Sequence, residues 1–269
     1  MKQLKMKQIK AYNVPRNSIT LWWLGQAGFI IKSPDGVVLT LDPYLSNSCK
    51  VIGDEAGFDM DRQLPPPLDA AELVGVDGYL MTHTHQDHCD PETIEAYRRA
   101  GGQGPYVAPA ETVEKLKGLG VPERELRMIW PNHEIKFGDV TIRATFAIPL
   151  GGDDLTHVGY LISIEQGPKI YFTGDTGWHD LLADATAPHK PDVLVTVINP
   201  TFFSLGPADA ARLAKRLNVK MAIPCHYQLF AANALMPEVF RTNLTMYGMG
   251  DRYQLLQYGA AFDLNVTEM

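Results

Sequence analysis

Cysteine is scarce in this chain: Cys49, Cys89 and Cys225 are the only three in 269 residues, an odd number with no CxxC spacing. That argues against a disulfide-stapled scaffold and points to a reducing compartment, so a cytoplasmic protein is expected. Long apolar runs are missing too. None approaches the roughly 20 residues needed to span a bilayer. The basic opening Met1-Lys2-Gln3-Leu4-Lys5 is not followed by a continuous hydrophobic stretch, which excludes reading it as a signal peptide. Positive charge is also short, with 24 Lys and Arg against 31 Asp and Glu and a net charge of −7. A broad nucleic-acid or anionic-membrane surface is therefore not expected, although a local basic pocket remains open. No linker, low-complexity segment or short-period repeat interrupts the chain. With 45% hydrophobic and 20% charged residues it can build a large core, and its length fits one α/β domain over residues 1–269.

What the sequence does have is Thr82-His83-Thr84-His85-Gln86-Asp87-His88, set directly after the apolar run Gly78-Tyr79-Leu80-Met81. Imidazole nitrogen and carboxylate oxygen are the ligands that a borderline metal such as zinc prefers. His83 and His85 are two apart, so in extended backbone they face the same way. Asp87 and His88 fall where the chain turns into the helix signalled by Asp90-Pro91-Glu92, which aims them at a neighbouring position. One short loop can thus serve two adjacent metals. Other apolar strands end on the same residue types. Asp175 follows Lys169-Ile170-Tyr171-Phe172-Thr173-Gly174 and could bridge two metals, His226 follows Met221-Ala222-Ile223-Pro224-Cys225, and Asp42 follows Val38-Leu39-Thr40-Leu41. Four such strand ends predict one cluster at one rim of a sheet core.

The ordered set Leu41-Asp42-Pro43, HTHQDH, Thr173-Gly174-Asp175-Thr176 and Ile223-Pro224-Cys225-His226 resembles the metallo-β-lactamase superfamily over nearly the whole chain. Within it, Leu21-Trp22-Trp23-Leu24-Gly25-Gln26-Ala27-Gly28 and the segment from Cys225 to Asn233 resemble the L-ascorbate-6-phosphate lactonase branch. The resemblance implies an α/β fold, a four-layer αβ/βα sandwich with two mixed sheets face to face and helices outside. It also implies one or two divalent metal ions, zinc or manganese, and self-association. The expected metal surround is His83, His85, Asp87, His88, Asp175 and His226, with His88 and His226 nearer the second position. Asp42 is expected to orient a ligand histidine through its remaining N–H. The superfamily pattern places a further histidine just after the proline in Ile148-Pro149-Leu150, and none stands there. His157, Asp153 or Asp154 could replace it, or the site holds one metal.

A divalent ion lowers the pKa of its water from about 15.7 towards roughly 7, so hydrolysis at neutral pH needs no protein nucleophile. Asp87 is placed to bind a second ion or, without one, to accept the proton of the attacking water. His179 could act as an acid or donor to substrate, or simply start a helix at the surface. For substrate binding the candidates are Arg62, the one arginine of the aperiodic stretch Ser46 to Leu68, with Asn199, Tyr227 and Asn233 on loops after strands. A solvated Arg62 is the competing reading, and Trp22 and Trp23 read as packing residues. These polar loops suit a small polar ester or lactone, such as a sugar-acid phosphate lactone. The alternatives are a phosphodiesterase or nuclease, and a degenerate metal-binding protein without activity. A diiron oxidase is disfavoured, because such relatives carry glutamate where His85 stands.

Periodicity and turn residues predict strands at Ile19–Leu24, Phe29–Ser33, Val37–Leu41, Gly78–Met81, Glu134–Phe137, Val140–Ala147, Val158–Glu165, Lys169–Thr173, Val193–Val197 and Met221–Pro224. Helices are expected at Pro91–Ala100, Ala110–Leu119, from His179, at Pro207–Leu217 and around Met236–Met246. Ser33-Pro34-Asp35-Gly36 and Glu165-Gln166-Gly167-Pro168 are the predicted hairpin turns.

Overall fold

The computed structural model describes residues 3–149 and 154–265. One sheet joins β1 (Ser18–Gly25), β2 (Gly28–Lys32), β3 (Val38–Leu41), β4 (Gly78–Leu80), β5 (Tyr106–Ala108), β6 (Leu126–Met128) and β13 (Ala261–Asn265) in the order β13-β1-β2-β3-β4-β5-β6. The other joins β7 (Glu134–Phe137), β8 (Val140–Phe146), β9 (Val158–Ile164), β10 (Lys169–Phe172), β11 (Val193–Val197) and β12 (Met221–Cys225) in the order β12-β11-β10-β9-β8-β7. The helices are α1 (Met6–Ala11), α2 (Cys49–Ala56), α3 (Pro91–Arg99), α4 (Ala110–Gly118), α5 (Asp180–Thr186), α6 (Pro207–Leu217) and α7 (Glu238–Met246). None is long and apolar enough to cross a membrane.

The β1 sequence shows why the layers form. All its residues are buried, because successive side chains point to opposite faces and both faces are covered. Ile19, Leu21 and Trp23 enter the core between the sheets with Phe29, Tyr160 and Phe172. Trp22 and Leu24 point the other way, into a second core with Met6, Ile94, Tyr97 and Leu116 from the outer helices. Strand β8 alternates buried and half-buried positions instead, as expected where only one face is fully covered.

Every predicted strand and helix is present within one or two residues, and both hairpin turns lie where Gly and Pro place them. Missing from the prediction were α1, α2, β5, β6 and β13. The three strands are only three to five residues long, and α2 lies inside the stretch expected to be a structureless loop. Its glycine and terminal acidic residues hide the helical period.

Strand direction fixes the functional rim. Strands β3 and β4 run parallel, as do β10, β11 and β12, so Asp42, the 82–88 loop, Asp175 and His226 emerge at carboxyl ends. Strand β9 is antiparallel to β10, which brings its opening residue, preceded by His157, to that same rim.

Candidate metal centre

Three overlapping groups of ligand-type atoms converge at this rim: His83, His85 and His157; His83, His88 and Asp175; and Asp87, His88 and His226, with the atoms of each group within 4.8 Å of one another. The predicted surround is therefore brought together, with His88 and His226 on the Asp87 side. His157, one of the candidates for the histidine missing after Pro149, lies beside His83 and His85, its ring 4.1 Å from that of His83. Asp153 lies outside the described residues. Asp154 braces the loop instead, accepting hydrogen bonds from Thr84 N at 2.7 Å and Thr84 Oγ1 at 2.5 Å.

Three of the histidines, His83, His88 and His157, are held at Nδ1 and offer Nε2. Asp42 Oδ2 lies 2.8 Å from His88 Nδ1, and the same carboxylate accepts from Thr82 N at 2.8 Å and Thr82 Oγ1 at 2.6 Å. His83 Nδ1 is 3.0 Å from Thr82 Oγ1, and His157 Nδ1 is 3.2 Å from the Asp175 carbonyl oxygen. The Nε2 atoms of His83, His88, His157 and His226 are buried without a hydrogen-bond partner, as is Asp175 Oδ1. Orphaned buried polar atoms are rare and need an explanation. Several imidazole nitrogens and carboxylate oxygens sharing one space fit a divalent ion, and the anchored Nδ1 atoms supply the outer contacts such a site requires.

Electrostatics agree. Burial, then the neighbouring imidazoles, holds His83 well below the ordinary histidine range, which keeps it in the neutral ligating form. Burial also lowers His157, against the pull of Asp154. For His88 and His226 burial again opposes charge, but Asp175 and Asp87 outweigh it and raise both. Asp87 and Asp175 shift down for the reciprocal reason: burial pushes them up, and the two imidazoles overcome it.

The centre opens into a cavity of about 540 Å³ whose lining includes His85, Asp87, Asp175 and His226. Gln26 was missed in the sequence. Its Nε2 donates to Asp87 Oδ2 at 3.0 Å and its Oε1 accepts from Asn233 Nδ2 at 3.1 Å. Asn233 lines the same cavity, and its amide braces Gln26. The other three substrate candidates are placed elsewhere. Arg62 donates to the carbonyls of Leu64 and Tyr44 at 2.7 Å each and to Tyr258 Oη at 2.9 Å, so it clamps its own loop. Asn199 accepts from Thr201 N at 3.0 Å in a local turn. Tyr227 stacks on Trp23 with centroids 5.0 Å apart. His179 is exposed and caps α5, its Nδ1 accepting from Leu181 N at 3.1 Å, and it is not among the residues that line the cavity.

Close approach at the rim demands glycine at position 174. Its φ is +59°, and a Cβ there would meet Val158 O at 2.8 Å and Thr82 Cβ at 3.0 Å. Gly174→Ala should cost roughly 1–3 kcal/mol through left-handed strain and overpacking. Urea unfolding would show it as a lower midpoint at unchanged slope, and an unaltered midpoint would mean that the loop yields freely.

Residues 41–227 match the family described as the beta-lactamase superfamily domain. A UPF0173 metal-dependent hydrolase from Myxococcus xanthus is 31% identical over 225 residues, covering 80% of this chain and 72% of that protein. A protein of Salmonella paratyphi B named as a probable L-ascorbate-6-phosphate lactonase is 25% identical over 272 residues, covering 87% of this chain and 77% of its own length. Among solved structures, Igni18, a metallo hydrolase from Ignicoccus hospitalis, superposes with a TM-score of 0.70 at 20% identity, covering 92% of this chain and 99% of that one.

Proposed function

The chain belongs to the metallo-β-lactamase superfamily, and on that premise we propose that it is a metal-dependent hydrolase of a small ester or lactone. The observation that carries this reading is the set of partnerless buried imidazole nitrogens clustered beside an open cavity that His85, Asp87, Asp175 and His226 line. His83, His85 and His157 would hold one ion, Asp87, His88 and His226 a second, with Asp175 between them. Zinc and manganese both suit this imidazole and carboxylate mixture. When bound, the ion supplies Lewis acidity and a nucleophilic water at neutral pH. The protein's own part is to hold the donors still and to place a carboxylate beside the attacking water. Gln26 fixes Asp87 in the cavity lining, where in a one-ion enzyme its carboxylate would be the group to take up a proton. Asp42 keeps His88 turned inward.

Arg62 is committed to backbone carbonyls, and among the described residues lining the cavity Lys115 is the one lysine or arginine. Its Nζ already donates to the Thr84 carbonyl at 2.5 Å. Carbonyl chemistry on a substrate without an obligatory phosphate is therefore better supported than cleavage of a polyanion. Metal-loaded protein should open small lactones and nitrophenyl esters faster than it cleaves bis-nitrophenyl phosphate, and a chelator should abolish both. Faster phosphodiester cleavage would overturn the carbonyl preference; turnover that survives chelation would overturn the metal.

A further inference from the structure

We propose that the substrate's reacting carbonyl carries an extended aliphatic group, which lies on an apolar wall built by α2 and the chain that follows it. This rests on the hydrolase reading for the position of the carbonyl, and on the cavity itself for the rest. Besides the ligating side chains, the cavity is lined by Cys49, Ile52, Phe58, Met60, Phe203 and Phe230. A sugar-like ligand would find few hydrogen-bonding partners there. The lining thus joins polar ligating side chains to an apolar set, and a ligand filling the cavity must combine the same two chemistries.

The wall is a built feature. Gly53 lets the chain fold back on α2, since a Cβ at that position would meet Phe58 O at 2.6 Å and Met60 Cβ at 2.7 Å. Phe58 N then donates to Gly53 O at 2.8 Å, with Gly57 in the left-handed region at φ +78°. Asn47 Nδ2 donates to Asp61 Oδ1 at 2.9 Å, and Arg62 ties the end of the segment to the Tyr44 carbonyl. The clamp made by Arg62 therefore has a purpose: it holds the wall in place.

Exposure points the same way. Ile52 is 45% exposed, Phe58 44% and Phe203 85%, three large apolar side chains lining one cavity. Phe203 also sits at φ +69°, an uncommon conformation for a bulky residue. Strain of this kind collects where a side chain must be held for a ligand.

The test measures binding and turnover separately. Metal-loaded protein is titrated calorimetrically with butanoate, hexanoate and octanoate, and kcat/KM is measured for the nitrophenyl esters of the same acids. Affinity should rise about threefold per added methylene, and kcat/KM should rise with it. Ile52→Ser and Phe203→Ser, both at exposed positions that the fold does not depend on, should each reduce the octanoate-to-butanoate ratio by about tenfold. Affinity that is flat or falls with chain length overturns the proposal, as does a rise that both variants leave intact. If affinity rises while no ester is cleaved, the aliphatic arm stands and the hydrolase reading fails. If the esters are cleaved without any chain-length trend, the hydrolase reading stands and the arm is lost.

Discussion

Asp175→Ala should yield a folded protein with little bound metal and almost no turnover. Asp175 Oδ1 lies 3.4 Å from His88 Nε2 and Oδ2 lies 3.3 Å from His226 Nε2, and the same carboxylate groups with His83, so it reaches both sides of the centre. Losing a group that merely orients a ligand costs about 10–100-fold in affinity or activity. Losing this carboxylate should cost more than that. The apolar cores do not rely on it, so the variant should keep its far-ultraviolet circular dichroism. Metal content by emission spectrometry and kcat/KM on a nitrophenyl ester would be read together. Full metal occupancy with full turnover would remove Asp175 from the centre.

The second large effect is thermal. Chelation should lower the melting temperature by roughly 8–16 °C, reversibly on return of zinc or manganese. A ligand present at about 1,000 times its Kd stabilises the native state by about 4 kcal/mol. Each kcal/mol moves the midpoint of a chain of this size by about 2–4 °C. The physical source is the set of buried Nε2 atoms that have no hydrogen-bond partner until a cation arrives. Scanning calorimetry before and after chelator would settle it, and identical melting curves would mean that the cluster neither binds nor needs an ion.

Legibility followed physical signal strength. The HTHQDH loop could be read because it packs ligand-type residues behind an apolar strand, and the tips at Asp42, Asp175 and His226 because each ends a run of buried residues. Strands of three residues such as β5 and β6 carry too few positions for a period to register. Gln26 offered no charge or ring to attract notice; only the fold brings its amide to Asp87. Arg62 misled for the opposite reason, since a lone arginine on a loop looks available until its donors are found on backbone carbonyls. The apolar wall was hidden because α2 interleaves it with Lys50, Asp54 and Glu55. His157 stayed ambiguous because its value depends on β9 running antiparallel to β10, a fact of pairing rather than of order along the chain.

The backbone at the rim is itself under tension. Gln26, Asp42 and His226 all have positive φ, at 46°, 43° and 59°. Glycine or asparagine would relax each position, yet each is tied to the centre by its particular side chain. Heat resistance and activity therefore pull against each other at the same three residues. A laboratory selection that rewarded only survival at high temperature, in metal-poor medium, would gain by replacing them and would drift towards a sturdier, inert chain. Selection for turnover must keep the strained residues and recover stability from the cores.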